Sequence, residues 1–116
     1  MIAYKPADIL LIPFPFSDLH ASKKRPAALL ATVSSKKLPT LYILAMITSQ
    51  VESENILGDY HLTHWEEAGL LHESKIRLGK LVTIEENLIQ KKLGEIQSKD
   101  WSALKKEFKK VFHSII

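Results

Sequence analysis

Lys23-Lys24-Arg25-Pro26-Ala27-Ala28-Leu29-Leu30-Ala31-Thr32-Val33-Ser34 is the stretch that decides the fold. Cations and a proline stand directly ahead of an apolar run, which predicts a buried strand from Ala27 to Ser34 entered from a charged loop. Working backwards, Asp8 to Pro13 reads as a first strand on the continuous run Ile9-Leu10-Leu11-Ile12. Phe14 to Lys24 is the connecting loop, with turn chemistry in Ser17-Asp18-Leu19-His20. Working forwards, Ser35-Lys36-Lys37 and Pro39 make a polar turn, and Thr40 to Thr48 is a third strand rich in Leu, Ile and Tyr. If strands two and three pair as neighbours, Arg25 and Thr48 meet near one rim. A guanidinium offers planar, bidentate donors with a fixed charge and a hydroxyl adds a neutral donor, so the pair suits a phosphate.

Beyond Thr48 the elements shorten. The acidic segment 51–59 reads as loop, Tyr60 to Thr63 as a short strand, and His64 to Ala68 as a helical turn ended by Gly69. Ser74 to Leu78, Lys80 to Ile84 and Ile89 to Ile96 read as three more short strands, separated or weakened at Gly79 and Gly94. The last element is a helix from about Lys99 to Ser114. Ser98 is the expected N-cap and Asp100 sits in the first turn, where a negative charge suits the helix dipole. Trp101, Leu104, Phe108, Val111, Phe112 and Ile115 form its apolar stripe, with Lys105, Lys106, Lys109 and Lys110 on the other side. Many short strands and one covering helix predict a mainly β (α+β) fold, a small, strongly bent sheet or barrel.

Composition sets outer bounds. At 116 residues with 46% hydrophobic and 25% charged residues, the chain fits one soluble domain over residues 1–116. It has no cysteine, which excludes disulfides and thiolate metal sites and fits a reducing cytoplasm. The apolar run Ile9 to Phe16 is broken by prolines and too short to span a bilayer, and Pro6 and Asp8 interrupt any signal-peptide core. Net charge is +3, unevenly spread. Residues 1–50 carry six Lys or Arg against two acids, whereas residues 51–74 carry six acids and no Lys or Arg. The basic excess lies partly beside Arg25, a distribution that draws polyanions toward that segment.

The order Asp8-Ile-Leu-Leu-Ile-Pro-Phe-Pro-Phe, Lys24-Arg25-Pro26, then Ala45-Met46-Ile47-Thr48-Ser49-Gln50 resembles the PemK/MazF toxins of bacterial toxin–antitoxin pairs. Trp65 to Leu70, Arg77 to Ile84 and Lys92-Leu93-Gly94 continue the likeness, which runs from about Ala7 to Trp101. The resemblance implies an SH3-like barrel with a C-terminal helix, commonly a homodimer. It also implies a metal-independent, sequence-selective endoribonuclease on single-stranded RNA that needs no cofactor and is silenced by a cognate antitoxin. By position, Arg25 and Thr48 match the catalytic pair. His20, five residues before Arg25, is the expected proton-transfer group, because an imidazole titrates near neutrality. Lys23, Lys24, Ser49, Gln50, Arg77 and Phe16 are the expected RNA contacts. Phe14 and Phe16 alternate, so at most one of them is expected to reach solvent.

Two departures stand out. The Gly-Asp pair that opens the family's first strand is Ala7-Asp8 here, a small change for a turn. Two residues after Arg77 many members carry Asp, and Gly79 removes that carboxylate. His61, His64 and His72, with Glu66 or Glu67, have a spacing compatible with zinc, but without further ligand clusters the expectation is no metal. The alternative function is a non-catalytic barrel that binds RNA or a protein partner, as a gyrase-poisoning relative does.

Overall fold

The computed structural model describes residues 4–14 and 23–116. Among these residues six strands, β1 (Asp8–Phe14), β2 (Lys23–Val33), β3 (Leu41–Thr48), β4 (Asp59–His61), β5 (Lys75–Glu85) and β6 (Lys91–Glu95), precede one helix, α1 (Ser98–Phe112). They form one antiparallel sheet in the order β4-β5-β3-β2-β1-β6. The fold is mainly β with a C-terminal helix.

Because successive side chains in a strand point to opposite faces, the continuous apolar runs of β1 to β3 feed two cores. Ile9, Ala28, Ala45, Ile47, Ile76 and Leu78 share one cluster, with Trp101, Leu104, Phe108 and Val111 of α1 packed on it. Leu10, Ile12, Phe14, Ala27, Leu29, Tyr42, Leu44 and Ile84 form the other. Phe14 is therefore core, only 3% exposed.

Several boundaries differ from the sequence reading. β2 begins at Lys23, so Lys23, Lys24 and Arg25 are strand residues paired with Phe14, Pro13 and Ile12. Cross-strand hydrogen bonding to β1 outweighs the poor strand tendency of the charged tripeptide. The two strands expected on either side of Gly79 are one, β5. Its register against β3 jumps from Leu81 opposite Ala45 to Arg77 opposite Met46, so Leu78, Gly79 and Lys80 bulge out of the ladder. The bulge also switches faces: Ile76 and Leu78 enter the first cluster, while Val82 and Ile84 serve the second. The helix is capped by Gln97 rather than Ser98, with no side-chain cap bond. Ile115 lies past its end and is exposed, so the stripe stops at Phe112, whose ring rests 4.6 Å from that of Phe108.

Asp100 does more than complement a dipole. Its buried carboxylate accepts hydrogen bonds from the Tyr60 hydroxyl (2.5 Å) and from the Thr63 and His64 backbone N–H groups (3.0 and 2.8 Å). Burial alone would raise its pKa, but these donors together hold it below the ordinary value. Burial first, and then Asp100, pushes the Tyr60 phenol up to about 12. Asp8 behaves likewise: burial is outweighed by the Lys5 N–H and the ammonium groups of Lys5 and Lys92. A carboxyl with a depressed folded pKa stabilises above its unfolded value, and that contribution is lost as pH falls through the folded one. Thermal unfolding followed from pH 7 to pH 2 is expected to show a flat Tm down to about pH 4 and a steep fall below it. Asp100→Asn should flatten that acid limb.

Ala7 shows that its departure from the family pattern is not small. Its φ is +82°, in the left-handed region, while its N–H and C=O are fixed to Leu29 and Ile96. A side chain there costs about 1–2 kcal/mol, partly offset by the greater entropy loss of glycine on folding. Ala7→Gly is therefore expected to raise stability by roughly 0.5–1 kcal/mol in denaturant titration, the reverse of the usual sign.

Candidate functional site

Strands β2 and β3 run side by side, with Ala27 opposite Met46, Ala28 opposite Ala45 and Leu29 opposite Leu44. Arg25 and Thr48 each lie two residues beyond the last of these pairs, in the same direction. They therefore share a face with Ala27 and Met46, at the rim where β2 starts and β3 ends. On the next strand Lys75 stands opposite Thr48 and Arg77 opposite Met46, while Asp59 and His61 of β4 pair with Arg77 and Lys75. One face of the rim thus carries a row of polar groups drawn from four strands.

Thr48 is 8% exposed, and its Oγ1 accepts the Gln50 N–H at 3.1 Å. That bond fixes the side chain and leaves the hydroxyl hydrogen to be donated elsewhere. Ser49 and Gln50 are exposed. Ser53 closes the turn by donating its hydroxyl to the Gln50 carbonyl at 2.7 Å. Lys23 and Lys24 are exposed at the start of β2, beside Arg25, which is half-buried. His20 and Phe16 lie outside the described residues.

Sequence reading missed what holds the loop after Thr48. Lys75 is fully buried, and its Nζ donates to the Ser53 carbonyl (2.9 Å) and the Asn55 Oδ1 (3.0 Å) while pairing with Asp59 at 3.3 Å. Arg77, its side chain 15% exposed, pairs with the same Asp59 oxygen at 3.5 Å. Its guanidinium also donates to the Ser53 hydroxyl (2.8 Å) and the Glu54 carbonyl (2.9 Å). Two cations and one buried carboxylate therefore tie residues 53–55 to β5. Arg77 faces this loop, with its Nη2 already engaged three times.

Behind the rim is a cleft of about 340 Å³ that Arg25 reaches from the rim and that is otherwise lined by Leu11, Pro26, Ile47, Ser49, Lys91 and Leu93, with Gly69 to His72 and Ser74 along one side. Gly69 has φ +92° and meets β6 so closely that a Cβ would lie 2.4 Å from the Leu93 carbonyl oxygen. A Cβ on Gly94 would lie 2.0 Å from the carbonyl oxygen of Ala68. Neither position has space for a methyl group, so the 64–69 turn is seated directly on β6.

The described histidines do not converge on one metal site. The His61 ring meets Asn55 and the His64 ring meets Glu67, and among the described residues no three His, Asp or Glu side chains could share a metal. No helix among the described residues is long and apolar enough to cross a membrane.

The fold has close counterparts among solved structures. An endoribonuclease from Mycobacterial species aligns with a TM-score of 0.70 at 11% identity, covering 97% of this chain and 94% of the other. The Mycobacterium tuberculosis toxin MazF-mt6 gives 0.66 at 17% identity, covering 94% and 97%. An endoribonuclease in complex with its cognate antitoxin, also from Mycobacterial species, gives 0.70 at 11% identity and 96% of each chain. No curated protein sequence matches the chain. At such identities these likenesses establish the fold alone. The family model matches residues 5–112, almost the whole chain, and on that ground the chain belongs to the PemK-like, MazF-like toxins of type II toxin–antitoxin systems.

Proposed function

We propose that this toxin-family chain is a sequence-selective endoribonuclease that cuts single-stranded RNA without a metal ion. The observation that carries the reading is the shared face and rim position of Arg25 and Thr48 on adjacent strands. In the proposed reaction a ribose 2′-hydroxyl attacks the adjacent phosphorus and the P–O5′ bond breaks. The 2′-oxygen loses a proton, the leaving 5′-oxygen gains one, and a cyclic phosphate and a 5′-hydroxyl result. Arg25 supplies a fixed positive charge to the phosphoryl oxygens, a clamp rather than an acid, since a guanidinium stays protonated. Thr48, held by Gln50, donates its hydroxyl hydrogen to a non-bridging oxygen. His20 is the proposed proton carrier, and Lys23, Lys24, Ser49, Gln50 and Phe16 the proposed RNA contacts. Arg77 and Lys75 act one step away, holding the 53–55 turn that follows Thr48.

A solved relative of the same fold is a complex with its cognate antitoxin, which supports an antitoxin as this chain's partner. A homodimer and a cytoplasmic setting complete the proposal. The test is incubation of purified protein with a long single-stranded RNA in EDTA. Discrete fragments ending in cyclic phosphate are expected. Intact RNA, bound or unbound, would favour a non-catalytic module instead.

A further inference from the structure

The cleft behind the rim shares Arg25 with the phosphate chemistry above, but the rest of its lining has no part in that chemistry. Lys91, Leu11 and Pro26 stand side by side on β6, β1 and β2, giving a flat apolar floor with a cation at one end. Arg25 also lines the cleft, and His72 stands on its lip. Among the described residues that line it there is no carboxylate, although the chain has 13 acids. Leu71, also on the lip, is 86% exposed, an apolar side chain held out in water. The segment that carries it is fixed at both ends: Gly69 is seated against β6, and the Ser74 hydroxyl donates to the His72 carbonyl at 2.8 Å. This is a pre-formed, cationic, apolar slot that begins at Arg25 and continues over Leu11, Pro26 and Ile47.

A strand of unpaired RNA is the occupant whose chemistry fits: flat apolar rings on a polyanionic backbone. We propose that the cleft receives the base of a nucleotide neighbouring the cleaved phosphate, held against Leu71 and His72 over the Leu11–Pro26 floor. This rests on the ribonuclease reading, and it assigns part of the sequence selectivity to the 69–72 segment and β6. With the phosphate at the rim, the base turns over the strand ends into the slot, and Lys91 meets the backbone beyond it.

The experiment measures equilibrium binding of four uncleavable 2′-O-methyl homo-oligonucleotides (A, C, G and U) and of an abasic oligomer of equal length. For the wild type, at least one base should bind about tenfold more tightly than the abasic strand. In Leu71→Ala and in His72→Ala that margin should vanish while abasic binding stays the same. Leu71 is on the surface, so its truncation leaves the core in place. No margin in the wild type, a margin retained in either variant, or an equal loss of abasic binding would overturn the assignment. Cleavage of long RNA is read separately. A protein that cuts RNA but shows no margin loses only this slot, and one that shows the margin but never cuts loses only the ribonuclease reading.

Discussion

Arg25→Ala is expected to retain the fold and to lose RNA cleavage by roughly 100- to 1,000-fold, the effect of removing one pre-aimed donor from a transition state. The side chain is half-buried at a strand start, and its main-chain pairing with Ile12 does not depend on it. Far-ultraviolet circular dichroism and Tm should therefore change little while the single-turnover rate collapses. Arg25→Lys restores the charge without the planar fork and should recover only a small part of the rate. Thr48→Val, close in shape but without the hydroxyl, should also slow the reaction, by less than the loss of the full charge. A rate unchanged in Arg25→Ala would remove this rim from the mechanism altogether.

Asp59→Ala should be the most destabilising of the single changes considered, by about 3–5 kcal/mol, the usual result of deleting one partner of a buried ion pair. Lys75 is fully buried, and its ammonium would be left with two neutral acceptors and no counter-charge. Arg77 would lose the same partner, and the Ile56 N–H would lose its 3.1 Å bond to that carboxylate. Against a typical domain stability of roughly 5–15 kcal/mol this is a large fraction, so urea unfolding should show a much lower midpoint. Lys75→Met in the Asp59→Ala background should recover much of the loss, because an apolar side chain needs no counter-charge. If Asp59→Ala proves as stable as the wild type, the ion cluster does not hold the loop as described.

How far the sequence carried the fold depended on which signal was local. The runs in β1 and β3 and the helix stripe from Trp101 to Val111 are complete within their own elements, and they were legible. The start of β2 was not, because Lys23-Lys24-Arg25 becomes strand only through its partners Phe14, Pro13 and Ile12. Gly79 was read as a break, since a residue without a side chain weakens a strand; pairing on both sides of it makes it a bulge instead. Arg25 and Thr48 could be paired in advance because each ends an apolar run at the same rim. Asp59 and Lys75 were missed, although Lys75 and Arg77 alternate with Ile76 and Leu78 at the two-residue period of a strand with one charged face. His72 was read only for its spacing to other histidines; that it lines the same cleft as Arg25 follows from the 64–69 turn lying against β6, which no local pattern announces.

That seat of glycine on backbone has an evolutionary consequence. What crowds Gly69 and Gly94 is main chain, not side chain, so shrinking a neighbour cannot make space for a larger residue. Ordinary compensation, one substitution rescuing another, is closed at these two positions. A larger residue at either position requires the main chain itself to move, so the joint admits no substitution that leaves the 64–69 turn where it is.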